Sequence, residues 1–339
     1  MSNLTEELQG IHRRLSYYFE GVAREIWPRR FFEMRRDGLL HQVLQRRDAD
    51  ILIGRANYYN RLAPGLAVSP STPIDRIDRS RSRYFLDLCR YLRFFSPGLK
   101  VDYRFGDVVD VPASPELLKS RPVAGENANS VLLNLDKLRH YRLYTDARSW
   151  GDKLPKAIWR GRLNNPLRND LIRGHCASGL CDVGHIGEPL DGVMPKAFLS
   201  PSQQLAYRYV ISVEGIDVAT NLKWIMASNS LCLMPRSRYE TWFMEGALVP
   251  GYHFIEIRDD FSDLEEKIEQ LEKDPAMARD IIRNANAFVA DFFDPVREKL
   301  VSLLVLQKYF EATGQLPPSE FTSAFFGSQA ATAPVLLTA

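Results

Sequence analysis

From residue 156 to about 274, short apolar runs alternate with helical segments, and no other feature of the chain restricts its fold so tightly. The run "KAIWRG" precedes a helical stretch near 166–174, and "YRYVISVEG" (207–215) is a β-rich strand followed by the helical "VATNLKWIMAS". "SLCLMP", "RYETWFMEGAL", "HFIEI" and "FSDLEEKIEQLEKD" then read as strand, helix, strand and helix. The last opens on a capping box, Ser262 with Glu265 three residues on. Strands and helices alternating through short connections predict a doubly wound parallel sheet. Two more helices, about 276–293 and 294–313, follow it.

Residues 1–150 read as mixed α/β. A helix near 4–26 precedes the strand-like "ADILIGRANYYNR" and a proline-rich turn region. The helix "SRYFLDLCRYLRFF" stops at Ser96-Pro97-Gly98. "KVDYRFGDVVDVP" then reads as a strand ending in acids, and "SVLLNLDK" as a short buried strand. A chain of 339 residues exceeds what one ordinary core organises. The expected division is an N-terminal α/β domain (1–150), a Rossmann-like domain (151–293) and a C-terminal helix (294–313) with room to cross back to the first domain. The small-residue tail (314–339) is expected to be partly disordered. Two Rossmann-like domains would face each other across a cleft, with ligands beyond the carboxyl ends of the strands.

No apolar run approaches the ~20 residues that a membrane span needs. The opening "MSNLTEELQGIHRRL" lacks a secretory apolar core, so a cytoplasmic protein is expected. Cys89, Cys176, Cys181 and Cys232 suit that compartment as reduced structural thiols. Residues 1–100 carry 18 Lys+Arg against 11 Asp+Glu, and the remainder carries 26 against 31. The basic part interleaves arginine with aromatics in "HRRLSYYFEGVAREIWPRRFFEMRR". That pattern fits an amphipathic helix packed on its own domain, which is preferred, and also peripheral contact with an anionic membrane surface at the inner face of the cytoplasmic membrane. No nucleic-acid partner is expected.

Four stretches carry candidate chemistry. After the first strand, Arg160-Gly161 offers a cation and a glycine for close backbone approach, and Arg168 opens the next helix; a solvated loop is the plain alternative. After the second strand, Val218, Ala219, Thr220 and Asn221 lie at an expected helix start, where free amides attract anions, with Lys223 one turn in. An ordinary strand–helix turn explains that stretch as well. Asp107 follows a strand in "RFGDVVDVP", where a carboxylate serves as general base for a hydroxyl nucleophile. Glu240 and Glu245 offer carboxylates for ribose hydroxyls, against the reading of a solvated helix face.

There is no GxGxxG, Walker A, HExxH or GxSxG motif, and the Asp-Ala-Asp of 48–50 precedes an apolar run rather than following one. These absences leave a nicotinamide cofactor and ATP hydrolysis unsupported, and no cofactor is expected.

"AIWRGRLNNPLRNDLI" resembles the aromatic, Arg-Gly, then Arg-Asp pattern of glycosyltransferase family 90. "YRYVISVEGIDVATNLKWIMASNSLCLMP" and "WFMEGALVPGYHFIEIRDDFSDLEEKI" resemble its next two blocks, in order, over roughly 100–290. The bacterial lipopolysaccharide-modifying branch is the closer match. The resemblance implies a GT-B fold, a UDP-sugar donor, metal independence and inversion at the anomeric carbon. By position it makes Asp107 the catalytic aspartate and places Arg160, Gly161 and Arg168 near the donor phosphates. Eukaryotic members place an arginine two residues before the helix lysine; here that position is Asn221, so the diphosphate falls to Arg160, Arg168 or Lys223. The expected protein is thus an inverting glycosyltransferase acting on a surface glycan or glycolipid. Its rivals are a nucleotide-sugar epimerase or hydrolase of the same shape, and a non-catalytic membrane- or nucleic-acid-binding module.

Overall fold

Helix formation at residues 49–59 is decided by burial. Leu52, Arg55, Ala56 and Tyr59 fall at i, i+3, i+4 and i+7, and all four are buried. The stretch read as a strand is therefore a helix: its buried residues follow a period of 3.6, not 2. The computed structural model describes residues 2–66 and 70–327, with side chains from residue 10 onward and that of Leu8. The chain divides into two compact units. Among the described residues, the first comprises those up to Leu138, Tyr239–Ala247 and those from Phe292 to Gly327; the second comprises Arg139–Arg238 and Leu248–Asp291.

The first unit begins with helices α1 (Ser2–Ile26), α2 (Arg29–Leu44) and α3 (Ala49–Tyr59). Strand β1 (Thr72–Pro73), helix α4 (Ser82–Leu92), strands β2 (Lys100–Val101), β3 (Glu116–Leu118), β4 (Ser120–Pro122) and β5 (Ser130–Leu132), and helix α5 (Lys137–His140) follow. The second unit carries β6 (Leu154–Gly161), α6 (Pro166–His175), β7 (Cys181–His185), α7 (Pro201–Gln204), β8 (Tyr207–Ile211), α8 (Leu222–Met226) and β9 (Leu231–Met234). Strand β10 (Tyr239–Thr241) belongs to the first unit; β11 (Ile255–Glu256), α9 (Leu264–Lys273) and α10 (Pro275–Ala290) complete the second. The first unit closes with α11 (Pro295–Ala312) and α12 (Thr322–Phe326).

The second unit has the expected parallel sheet, in the order β11-β9-β8-β6-β7. Its central strands are apolar and buried: Ala157-Ile158-Trp159 in β6, Tyr209-Val210-Ile211 in β8 and all of β9. Both faces of a parallel sheet are covered, which explains why these runs do not alternate. Read from β7, the order is 2-1-3-4-5 in chain sequence. The chain leaves β6 for β7 on one side, then crosses to β8 on the other, so a topological switch point lies between β6 and β8.

Three helices start on an Asn-Pro or Asp-Pro pair. Asn165 caps Leu167 N at 2.9 Å, Asp274 caps Met277 N at 3.1 Å, and Asp294 caps Val296 N at 2.8 Å. Each proline fills the first turn, where no amide partner is needed. The Ser262–Glu265 capping box does not form. Helix α9 starts one residue later, with Asp263 at the cap accepting from Arg258 N at 2.9 Å.

The first unit differs from a Rossmann-like domain. Among the described residues its strands form only two-stranded pairs, β1–β2 and β4–β10 antiparallel and β3–β5 parallel. Its core is organised by α11, buried from Leu300 to Ala312. Arg55 pairs with Glu298 at 2.7 Å, and Glu298 also accepts from the Trp242 indole. Residues 239–247, read as a helix, pair instead as a strand and a turn. Trp242, Phe243 and Met244 are all buried, which leaves no polar face for a surface helix. Residues 328–339 of the tail lie outside the described residues. The described part includes α12, where Thr322 Oγ1 donates to Glu311 at 2.6 Å.

Candidate functional site

The ends of β6 and β8 meet at the switch point, and Arg168 ties them together. Its Nε donates to Glu214 O at 2.9 Å, Nη2 to Val213 O at 2.9 Å, and Nη1 to Arg162 O and Asn164 Oδ1 at 3.0 and 2.7 Å. Asn165 Nδ2 adds a bond to Gly215 O at 2.7 Å. The fork lies flat against the loop because residue 215 is a glycine; a Cβ there would sit 3.3 Å from Nη2. The guanidinium also stands 5.6 Å from the Trp159 ring centroid. Burial, and then repulsion from Arg139, lower Arg168 to about 10, so it stays charged at neutral pH. Among the described residues no carboxylate pairs with it, which leaves net positive charge in a low-dielectric loop.

The carbonyls of residues 213–215 are thereby all engaged, and the neighbouring amides are not. Among the described residues, the N–H groups of Gly215, Ile216, Val218, Ala219 and Thr220 donate to no acceptor. Val218 and Ala219 are buried residues. Unused amides beside an arginine without a carboxylate partner are groups that an anion can satisfy. The helix start expected at residues 218–221 does not form there. Helix α8 begins only at Leu222 and has five residues, so loop amides, not a helix dipole, provide the donors. Asn221 is occupied: its Nδ2 donates to Ile211 O, and its Oδ1 accepts from Ser212 Oγ, both at 3.1 Å. Lys223 is completely buried on α8.

Arg160 is arranged differently. Its Nη2 pairs with Asp182 Oδ1 at 2.7 Å, Nη1 donates to Asp182 O at 2.5 Å and Trp159 O at 2.9 Å, and Nε reaches Ala197 O at 3.3 Å. Burial opposes the charge of Asp182. Hydrogen bonds from Tyr207, Arg160 and Lys196 outweigh it and hold the carboxyl well below the usual range. The guanidinium, 6% exposed, thus clamps β6 to β7. Gly161 is also needed for packing, because a Cβ would meet the Trp159 ring at 2.6 Å. Arg160→Ala is expected to cost about 3 kcal/mol and lower the melting temperature by roughly 5–10 °C, measured by thermal denaturation.

In the first unit, Asp107 follows Gly106, whose φ of +123° is a turn that L side chains rarely adopt. The Asp107 carboxylate is ion-paired with the buried Lys119. Ser120 Oγ donates to Val108 O at 3.2 Å, which fixes the next residue. Beside this loop opens a cavity of about 500 Å³, lined by Asp78, Arg81, Tyr103, Arg104, Phe105 and Glu116 among others. Tyr103 and Phe105 present rings 4.6 Å apart. Tyr103 Oη accepts from Asp78 N at 2.8 Å and keeps its own proton to donate. Arg81 spends one nitrogen on Phe105 O, at 2.7 Å. Aromatic faces ringed by carboxylates and guanidinia suit a polyhydroxylated ligand.

Glu240 and Glu245 do not reach a ligand surface. Glu240 has no exposed area and accepts from Arg121 Nε at 2.8 Å and from the Tyr58 hydroxyl. Glu245, 3% exposed, accepts from Thr241 N at 2.6 Å and Thr241 Oγ1 at 3.0 Å. Both organise the buried turn of residues 239–247 rather than a solvated helix face. Sequence reading gave no site role to Asn164, Asn165 or Lys119. The Asn-Asn-Pro turn was visible as a helix start, whereas nothing local marks Lys119 as the partner of Asp107. Among the described residues no group of three or more His, Cys, Asp or Glu side chains is placed to hold a metal.

Residues 134–309 match the family described as Glycosyl transferase family 90. The chain is 44% identical over 260 residues to O-glucosyltransferase LpsA of Dichelobacter nodosus, covering 76% of this chain and 81% of that protein. It is 29% identical over 176 residues to Protein O-glucosyltransferase 3 of Homo sapiens, covering 50% of this chain and 34% of that one. With Protein O-glucosyltransferase 2 of Danio rerio it shares 30% over 128 residues, 35% of this chain and 25% of that one. The family match contains the Arg168 loop and leaves Asp107 outside.

Proposed function

The chain belongs to glycosyltransferase family 90 and is a glycosyltransferase, and from that premise we propose an inverting transfer from a UDP-sugar to a hydroxyl of a bacterial lipopolysaccharide or other surface glycan. The names of its relatives make glucose the first sugar to test. The proposed architecture is GT-B with a first unit that departs from the Rossmann pattern, and the proposed reaction is metal-independent, at the inner face of the cytoplasmic membrane.

The observation that carries this reading is the switch-point loop, where Arg168 pairs with no carboxylate among the described residues and the amides of Gly215, Ile216, Val218, Ala219 and Thr220 offer donors. A diphosphate bound there gains charge as the sugar departs, and fixed donors stabilise that charge. Val218, Ala219 and Thr220 contribute amides, and Lys223 adds charge from behind the loop. Asn221 holds the loop to β8. Arg160 and Gly161 keep β6 in shape, so more of the phosphate contact falls to Arg168. Asp107 takes the proton of the attacking hydroxyl. The acceptor sugar docks over Tyr103 and Phe105 in the cavity of the first unit.

The test is UDP-glucose turnover with and without a deacylated lipopolysaccharide core. Transfer is expected only with acceptor. Equal consumption of donor without acceptor would make the protein a hydrolase or epimerase, and no nucleotide-sugar binding at all would end the proposal.

A further inference from the structure

Helix α1 packs against the protein through its polar and small residues. Arg13 Nη2 donates to Leu138 O at 2.6 Å, Tyr17 Oη donates to Arg83 O at 2.9 Å, and a Cβ at Gly21 would lie 2.7 Å from Leu86 Cδ1. These positions, four apart, mark one face. The apolar residues lie on the other: Leu8, Ile11, Leu15, Phe19, Val22 and Ile26 are 51–78% exposed. At 100° per residue the six fall within an arc of about 80°, centred roughly 160° from Tyr17. A core-facing helix would show the reverse.

Two details say what covers this stripe. It repeats every ~3.6 residues, so it runs straight along the helix without the drift that winds helices into a coiled coil. It also continues past the Pro28 break into a basic segment, "WPRRFFEMRR", with four arginines against one glutamate. Trp27, Phe31 and Met34 are 54%, 41% and 84% exposed, and the Trp27 and Phe31 rings lie 5.2 Å apart. The Arg35 guanidinium stands 5.1 Å from the Phe31 ring centroid, which sets a cation at the edge of the apolar surface. Arg30 is exposed beside it. A second copy of the chain would bring arginines against arginines, whereas anionic headgroups complement them.

We propose that α1 and the start of α2 seat this protein on an anionic lipid bilayer. Helix α1 lies in the membrane plane, its Leu8–Ile26 stripe at the acyl boundary along ~27 Å. Trp27 and Phe31 sit at the interface, and Arg30 and Arg35 meet the phosphates. No helix among the described residues is long and apolar enough to cross a membrane. This surface names the membrane contact of the proposed function, yet it uses no residue of the candidate site and holds for any transferred sugar.

The full chain is to be floated with acceptor-free vesicles of phosphatidylcholine alone, or of phosphatidylcholine and phosphatidylglycerol at about 3:1. Binding to the anionic vesicles is expected, weakening with salt, and the exposed double substitution Phe19→Glu with Ile26→Glu should lower it by more than about tenfold. The double variant should keep wild-type transfer to a water-soluble acceptor. The proposal is overturned by no binding to anionic vesicles, or by undiminished binding of the variant. A wild-type dimer that the variant dissociates in sedimentation would assign the stripe to a second copy and overturn it too. If the transferase reading alone is wrong, vesicle binding persists while no protein transfers sugar.

Discussion

Asp107→Asn is expected to lower the turnover number by about a hundredfold to ten-thousandfold, the range that one general base contributes. The carboxylate follows the Gly106 turn and is held by the Lys119 ammonium, so its orientation does not depend on a bound ligand. The same ion pair complicates the experiment. Lys119 is 2% exposed, and removing its carboxylate leaves a buried charge that lowers stability. The double substitution Asp107→Asn with Lys119→Met removes that charge. Recovery of the melting temperature without recovery of transfer separates the chemical role of Asp107 from its structural one. Near-wild-type transfer by a folded Asp107→Asn protein would refute the assignment.

Arg168→Met should weaken UDP and UDP-sugar binding by about tenfold to a hundredfold, read by titration calorimetry, because charge-assisted hydrogen bonds of this kind are worth about 1.5–3 kcal/mol. Methionine keeps much of the volume beside Trp159 and drops the charge. Arg168→Lys should not rescue, since an ammonium lacks the planar fork that reaches the 213 and 214 carbonyls together. Stability will fall as well, so affinity is to be compared well below the melting transition. The contrast with Arg160→Ala is the informative part: lost stability with largely kept donor affinity there, lost affinity here. Unchanged donor affinity in folded Arg168→Met would place the phosphate elsewhere.

The misreadings share one physical cause, partners distant in sequence. Arg160 looked like a free cation after a strand, but Asp182 on the adjacent strand takes it up. Glu240 looked like a surface carboxylate, but β10 pairs with β4 and lays it against Arg121, 119 residues earlier. Residues 49–59 looked like a strand because Ile51, Leu52 and Ile53 form an apolar run, and only their packing reveals the helical period. The outward stripe of α1 needed the structure too, because an amphipathic sequence does not say which face turns inward.

By itself the sequence determined the alternation that makes the parallel sheet, the Asp-Pro and Asn-Pro helix starts, and the family blocks around Arg160, Arg168 and Lys223. These rest on local period and turn chemistry, which neighbouring residues carry among themselves. Only the tertiary structure decided the strand order, and with it the switch point that brings the loops after β6 and β8 together. It also decided which arginine has its charge neutralised and which does not. Charge compensation is set by distances in space, and Arg160 and Arg168, eight residues apart, receive opposite answers from it.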